Sequence, residues 1–128
     1  MASIDNRERD RPNPIVRVEV PAITIGAAVT TEVTGTVNIN MTIKVIVVRI
    51  GIATNGDETY TLSIRDDNGA EHVLEALLPD ATKTVLLSTK ASPDFPEVSL
   101  NGTITVGITP TGAPGSGGVD AEVDLFGV

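Results

Sequence analysis

Carboxylates and amides crowd the stretch Asp66, Asp67, Asn68, Gly69, Ala70, Glu71. Four oxygen-bearing side chains around a glycine form a donor set that suits a calcium ion, which takes hard oxygen ligands from a tight loop. The run lacks the alternating acids and the length of an EF-hand loop, and Asn68-Gly69 is equally the pair that tolerates positive φ in a hairpin turn. A plain turn is therefore the expectation, with Asp66, Asp67, Asn68 and Glu71 standing second as a calcium candidate. Another acidic group, Asp120, Glu122 and Asp124, recurs at every other residue, so a strand would carry all three on one face. Such a ladder meets a cation or a basic partner, or it guards a sheet edge against aggregation; edge protection is the expectation.

Other chemistry is thin. His72 is the only histidine, which rules out a two-histidine metal site within one chain, and no nucleophile-elbow motif accompanies the serines. His72 is expected as a polar residue flanking a hairpin. The glycines at 115, 117 and 118 lack the Lys-Ser/Thr of a phosphate loop. Asn40-Met41-Thr42 and Asn101-Gly102-Thr103 match the glycosylation acceptor pattern, but the N-terminus carries charges where a secretory leader needs an apolar run. No catalytic residue, resident metal or cofactor is assigned.

The remaining charge cluster lies at the front. Residues 1–11 hold Asp5, Glu8 and Asp10 against Arg7, Arg9 and Arg11 and sum to zero. The whole net charge of −8 thus sits in residues 12–128, fourteen acids against six bases. Such a body repels polyanions, so nucleic acid is not an expected partner. Nor is a membrane, because the chain has no apolar run of 18 residues.

The elements that must position these groups are strands. Val, Ile and Thr make up 44 of 128 residues, and β-branched side chains fit a pleated surface better than a helix. Three aromatics (Tyr60, Phe95, Phe126) leave the core to aliphatic side chains, and the absence of cysteine excludes disulfides and thiolate chemistry. Residues 15–20 (IVRVEV) alternate, setting Val16, Val18 and Val20 on one face, and Pro21 should interrupt this first, edge-lying strand. Gly26 reads as a bend and Thr34-Gly35 as a tight turn.

Residues 36–54 carry apolar side chains on odd positions from Val37 to Val47, then on even positions from Ile46 to Ile52. Faces alternate strictly in a strand, so this parity switch predicts a bulge, a bend between two sheets, or a short stretch buried on both sides near Ile46–Val48. Turns are predicted at 55–57 and 79–83 and loops at 90–97 and 110–118, the last expected to be flexible. Residues 74–78 read as strand or short helix, and residues 98–109 as one kinked strand or a very tight hairpin. The expected fold is all-β, an antiparallel β-sandwich or flattened barrel of seven to nine short strands over 15–128, with an extended arm at 1–14.

A small, acidic, cysteine-free domain rich in Val, Thr and Gly, fronted by a charged arm, resembles the virion structural proteins of tailed bacteriophages, above all the head-decoration (cement) proteins. That resemblance implies a non-enzymatic homo-oligomer, commonly a trimer, made in the host cytoplasm and bound to a major capsid or other virion protein at the capsid surface. The arm would then be the anchor: Arg7, Arg9 and Arg11 would form ion pairs, while Ile15, Val16 and Val18 would help add a strand to a neighbour's open edge. A phage tail or baseplate component, or a carbohydrate- or calcium-binding sandwich module, is the alternative. The few aromatics weigh against a sugar platform.

Overall fold

The computed structural model describes residues 15–51, 59–77, 83–91 and 93–128. The arm with Arg7, Arg9 and Arg11, and the turns expected at 55–57 and about 79–82, lie outside these residues.

Every described element is a strand: β1 (Val16–Ile25), β2 (Val33–Ile50), β3 (Tyr60–Arg65), β4 (Glu71–Leu77), β5 (Lys83–Leu87), β6 (Val98–Pro110) and β7 (Val119–Gly127). All pairings are antiparallel, in the order β1-β7-β2-β6-β3-β4, with β5 also on β2. The sheet is not closed.

Its organiser is the 18-residue β2. From Val33 to Ile43 it pairs with β6, and from Val45 to Ile50 it pairs with β7 on one side while β5 takes the other. The register slips between Ile43 and Val45, leaving Lys44 as the extra residue. Ile39, Met41 and Ile43 are buried before the slip, and Ile46, Val48 and Ile50 after it. The parity switch is real, and at Lys44 the strand passes from one half of the folded sheet to the other, slightly ahead of the expected place. One half of the sandwich is therefore β4-β3-β6 with the first part of β2, and the other is β1-β7-β5 with its second part.

Both halves close on a single aliphatic cluster to which all seven strands contribute, from Val20 on β1 to Leu125 on β7. Of the three aromatics, Tyr60 and Phe95 are buried there. Each fully buried Ile or Leu contributes about 1.5–3 kcal/mol of transfer free energy, so a mostly aliphatic core with two rings still holds the sandwich.

Two local expectations need correction. Thr34-Gly35 is not a turn but lies inside β2: a Cβ on Gly35 would sit 3.4 Å from Ile23 Cγ1 and from the Pro21 carbonyl oxygen, so the glycine marks where β1 crosses close above. Pro21 interrupts the β1–β7 ladder as expected, with a register shift between Val20 and Ile23, and β1 continues past it to Ile25. Of the two readings of residues 74–78, strand holds for 74–77, which pair along β3. The other correction concerns the acidic ladder Asp120, Glu122, Asp124 on β7. Residues 98–110 form one strand, with Gly102 at φ 124°. No helix among the described residues is long and apolar enough to cross a membrane.

Candidate functional site

The hairpin from β3 to β4 shows what Asp66 does. Its Oδ1 accepts the backbone N–H groups of Asn68 and Ala70, both at 2.9 Å, and its Oδ2 lies 2.9 Å from His72 Nε2. The Gly69 N–H reaches the Asp66 carbonyl at 3.0 Å with φ 85°, so the turn needs its glycine. These contacts hold the Asp66 carboxyl below its ordinary range, the His72 hydrogen bond first and the Ala70 N–H next. Both carboxylate oxygens are spent inside the turn. Asp67, Asn68 and Glu71 point from exposed positions around it.

The ladder Asp120, Glu122, Asp124 lies on β7, and β7 is not an edge: β1 flanks it on one side and β2 on the other. Edge protection is therefore the wrong reading. Cross-strand neighbours offset the three acids instead, since Asp124 accepts from Arg17 at 3.1 Å, Asp120 accepts from Thr24 at 2.9 Å, and Glu122 stands opposite Arg49 in the ladder.

A third polar group was not anticipated. Arg65 pairs with Glu32 through both guanidinium nitrogens, and Ser63 Oγ donates to Glu32 Oε2 at 2.8 Å. Arg65 holds the Glu32 carboxyl below its usual value, and a carboxylate so stabilised is a poor base for the serine beside it. The group is tethering machinery: Glu32, from the segment before β2, lies across Gly107 of β6, where a Cβ would fall 2.3 Å from Glu32 Oε2.

What stands out is apolar and faces solvent. Residues paired directly across antiparallel strands point to the same side, so the registers map the outward face of the β1-β7-β2-β5 half row by row. One row runs Arg17, Phe126, Val45, Leu87, the next Glu19, Asp124, Val47, Val85, and a third holds Glu122, Arg49, Lys83. Val85 and Leu87 are 45% and 40% exposed. Beside them Ile15, Val45, Val47, Phe126 and Val128 line an open groove of ≈ 490 Å³.

Within β2 itself the contrast is sharp. Its outward side chains are Thr34, Thr36, Asn38, Asn40 and Thr42 before the bend, then Val45, Val47 and Arg49 after it. The other half thus presents hydroxyls and amides to water, while this half presents valines. The hint in the sequence was the overlap of the two parities at residues 45–48, which requires apolar side chains on both faces.

The expected anchor residues fall around this face. Ile15 is 76% exposed and borders the groove at the point where the arm joins β1. Val16, opposite Gly127, is exposed, whereas Val18, opposite Leu125, packs against the core. Among the described residues β1 pairs only with β7, which leaves its far edge without a strand from those residues.

No protein-family model and no curated protein sequence matches the chain. Among solved structures it is similar to the SPBc2 prophage-derived protein YomS at 14% identity and TM-score 0.42, over 87% of this chain and 95% of that one. It is similar to the infectious bursal disease virus VP2 subviral particle at 12% identity and TM-score 0.46, over 91% of this chain and 33% of that one. A third neighbour is the isomalto-dextranase of Arthrobacter globiformis T6 complexed with panose, at 14% identity and TM-score 0.49, over 87% of this chain and 23% of that one. The chain spans under a third of the length of the first matched structures, which include a serine protease of Aeromonas sobria. Viral capsid proteins, a prophage protein and carbohydrate-active enzymes thus stand together as neighbours of low identity.

Proposed function

We propose that this chain is a non-enzymatic virion structural protein, a capsid-decoration subunit that assembles with copies of itself and is anchored by its N-terminal arm. The observation that carries the reading is the apolar outward face of the β1-β7-β2-β5 half, bordered by Ile15, where the arm joins the domain. A solvent-facing row of Phe126, Val45 and Leu87 is costly for a lone monomer and useful to a protein that assembles. The far edge of β1, unpaired among the described residues, would offer backbone N–H and C=O groups to a capsid protein. In this reading Arg7, Arg9 and Arg11 meet acidic groups on the shell, and several copies bound together multiply modest contacts into firm attachment.

The test is deletion of residues 1–14. The truncated protein should keep its β circular dichroism and lose co-sedimentation with capsids purified from the same source. Undiminished co-sedimentation of the truncated protein would sink the anchoring role.

A further inference from the structure

We infer that the apolar outward face binds the same face of a second copy, in a two-fold pair whose axis runs parallel to the strands. The inference rests on the assembly reading and names its partner.

Charge distribution chooses both the occupant and the axis. Across the face, β1 and β7 carry Glu19, Asp120, Glu122 and Asp124 against one base, Arg17, while β2 and β5 carry Arg49 and Lys83. One half of the face is acidic on balance and the other basic, and the apolar run of Phe126, Val45 and Leu87, beginning beside Arg17, crosses from one to the other. A two-fold axis parallel to the strands, between β7 and β2, keeps each row in place and exchanges the columns. Phe126 then meets Val45 of the second copy, and Glu122 meets its Arg49. Glu19 and Asp124 come within one row of the second copy's Lys83 and Arg49. A two-fold axis across the strands would instead lay the acidic columns on each other, which like-charge repulsion disfavours.

Size and geometry agree. Four strands about 4.8 Å apart and about eight residues long at about 3.3 Å each give a face of roughly 500 Å². Two such faces bury on the order of 1,000 Å², the lower bound for a specific interface. Sheets packed face to face with nearly aligned strands repeat the arrangement that sandwich halves adopt. A two-fold contact of this kind closes on itself, so it yields a dimer, where the decoration-protein likeness implies a trimer.

Sedimentation velocity of the full-length protein and its variants decides the matter. The unaltered chain should sediment as a dimer. Glu122→Arg alone and Arg49→Glu alone should each weaken dimerisation by at least about tenfold, because each sets like charges against each other twice across the axis. An equimolar mixture of the two variants should recover the dimer, since both inter-copy contacts are then matched while the contact within each chain stays mismatched. Val85→Lys, at an exposed position, should also give a monomer with unchanged circular dichroism. A monomeric or trimeric unaltered protein, or a mixture that stays monomeric, overturns the inference. Capsid co-sedimentation is read separately, so a dimer that ignores capsids would overturn the virion role alone.

Discussion

Asp66 shows how one carboxylate can serve a turn completely. It closes the β3–β4 hairpin by accepting two backbone N–H groups and facing His72, and these contacts depress its pKa from an ordinary value of 3.8. A carboxyl more acidic in the fold than in the open chain stabilises the fold fully above the open-chain value, and that contribution is lost as pH falls below 3.8 through the folded value. Asp66→Asn keeps an acceptor for the turn and removes the charge. Its deficit in denaturant midpoint relative to the unaltered protein should be present at pH 7 and shrink steadily below about pH 4; a deficit independent of pH would refute the assignment. Glu32 permits a double-mutant test. Gly107→Ala pushes a methyl into the Glu32 carboxylate and should cost about 1–2 kcal/mol by displacing a charge-assisted pair. In a Glu32→Ala background the same substitution should be nearly neutral, and a cost that persists would place the crowding elsewhere.

Lys44 and Gly127 together set the geometry by which β2 passes from β6 to β7 and β5. Where β2 slips register, Gly127 of β7 comes so close to Thr42 that a Cβ would lie 2.0 Å from the Thr42 carbonyl oxygen, and Val128 and Thr42 exchange backbone hydrogen bonds of 2.8 and 3.1 Å. Backbone cannot yield as a glutamate side chain can, so Gly127→Ala should cost more than Gly107→Ala, about 3 kcal/mol, measurable as a lower urea midpoint. Equal costs would mean the junction is looser than its contacts indicate. The bend was legible in the sequence because strand side chains alternate faces, and a shift of apolar residues from odd to even positions admits few explanations. Asn68-Gly69 was legible for a similarly local reason. Gly35 and the interior place of β7 were not, since each depends on a strand distant in sequence: β1 crossing above Gly35, β1 and β2 flanking Asp120, Glu122 and Asp124. For the candidate face, Val45 and Val47 were visible as apolar residues, yet their outward direction became apparent only when the register joined them to Phe126, Val85 and Leu87.

The molecule combines a net charge of −8 with a face divided into acidic and basic halves, and these two features oppose each other when copies meet. Overall charge repels at long range, whereas the exchanged halves and the apolar row act only at contact. Salt separates the two effects, because the screening length falls from about 30 Å at 0.01 M to about 8 Å at 0.15 M ionic strength. At the lower concentration two acidic bodies repel well before their faces touch; at the higher one that repulsion is largely gone while packing of Phe126 on Val45 is unaffected. Self-association measured by sedimentation equilibrium should therefore strengthen between 0.01 and 0.15 M salt by about tenfold or less, the range open to weakly screened surface charge. Beyond that point further salt mainly screens the Glu122 and Arg49 contacts, and the gain should level off or reverse. Continuous weakening from the lowest salt upward would show that the charged halves, and not the apolar row between them, hold the copies together.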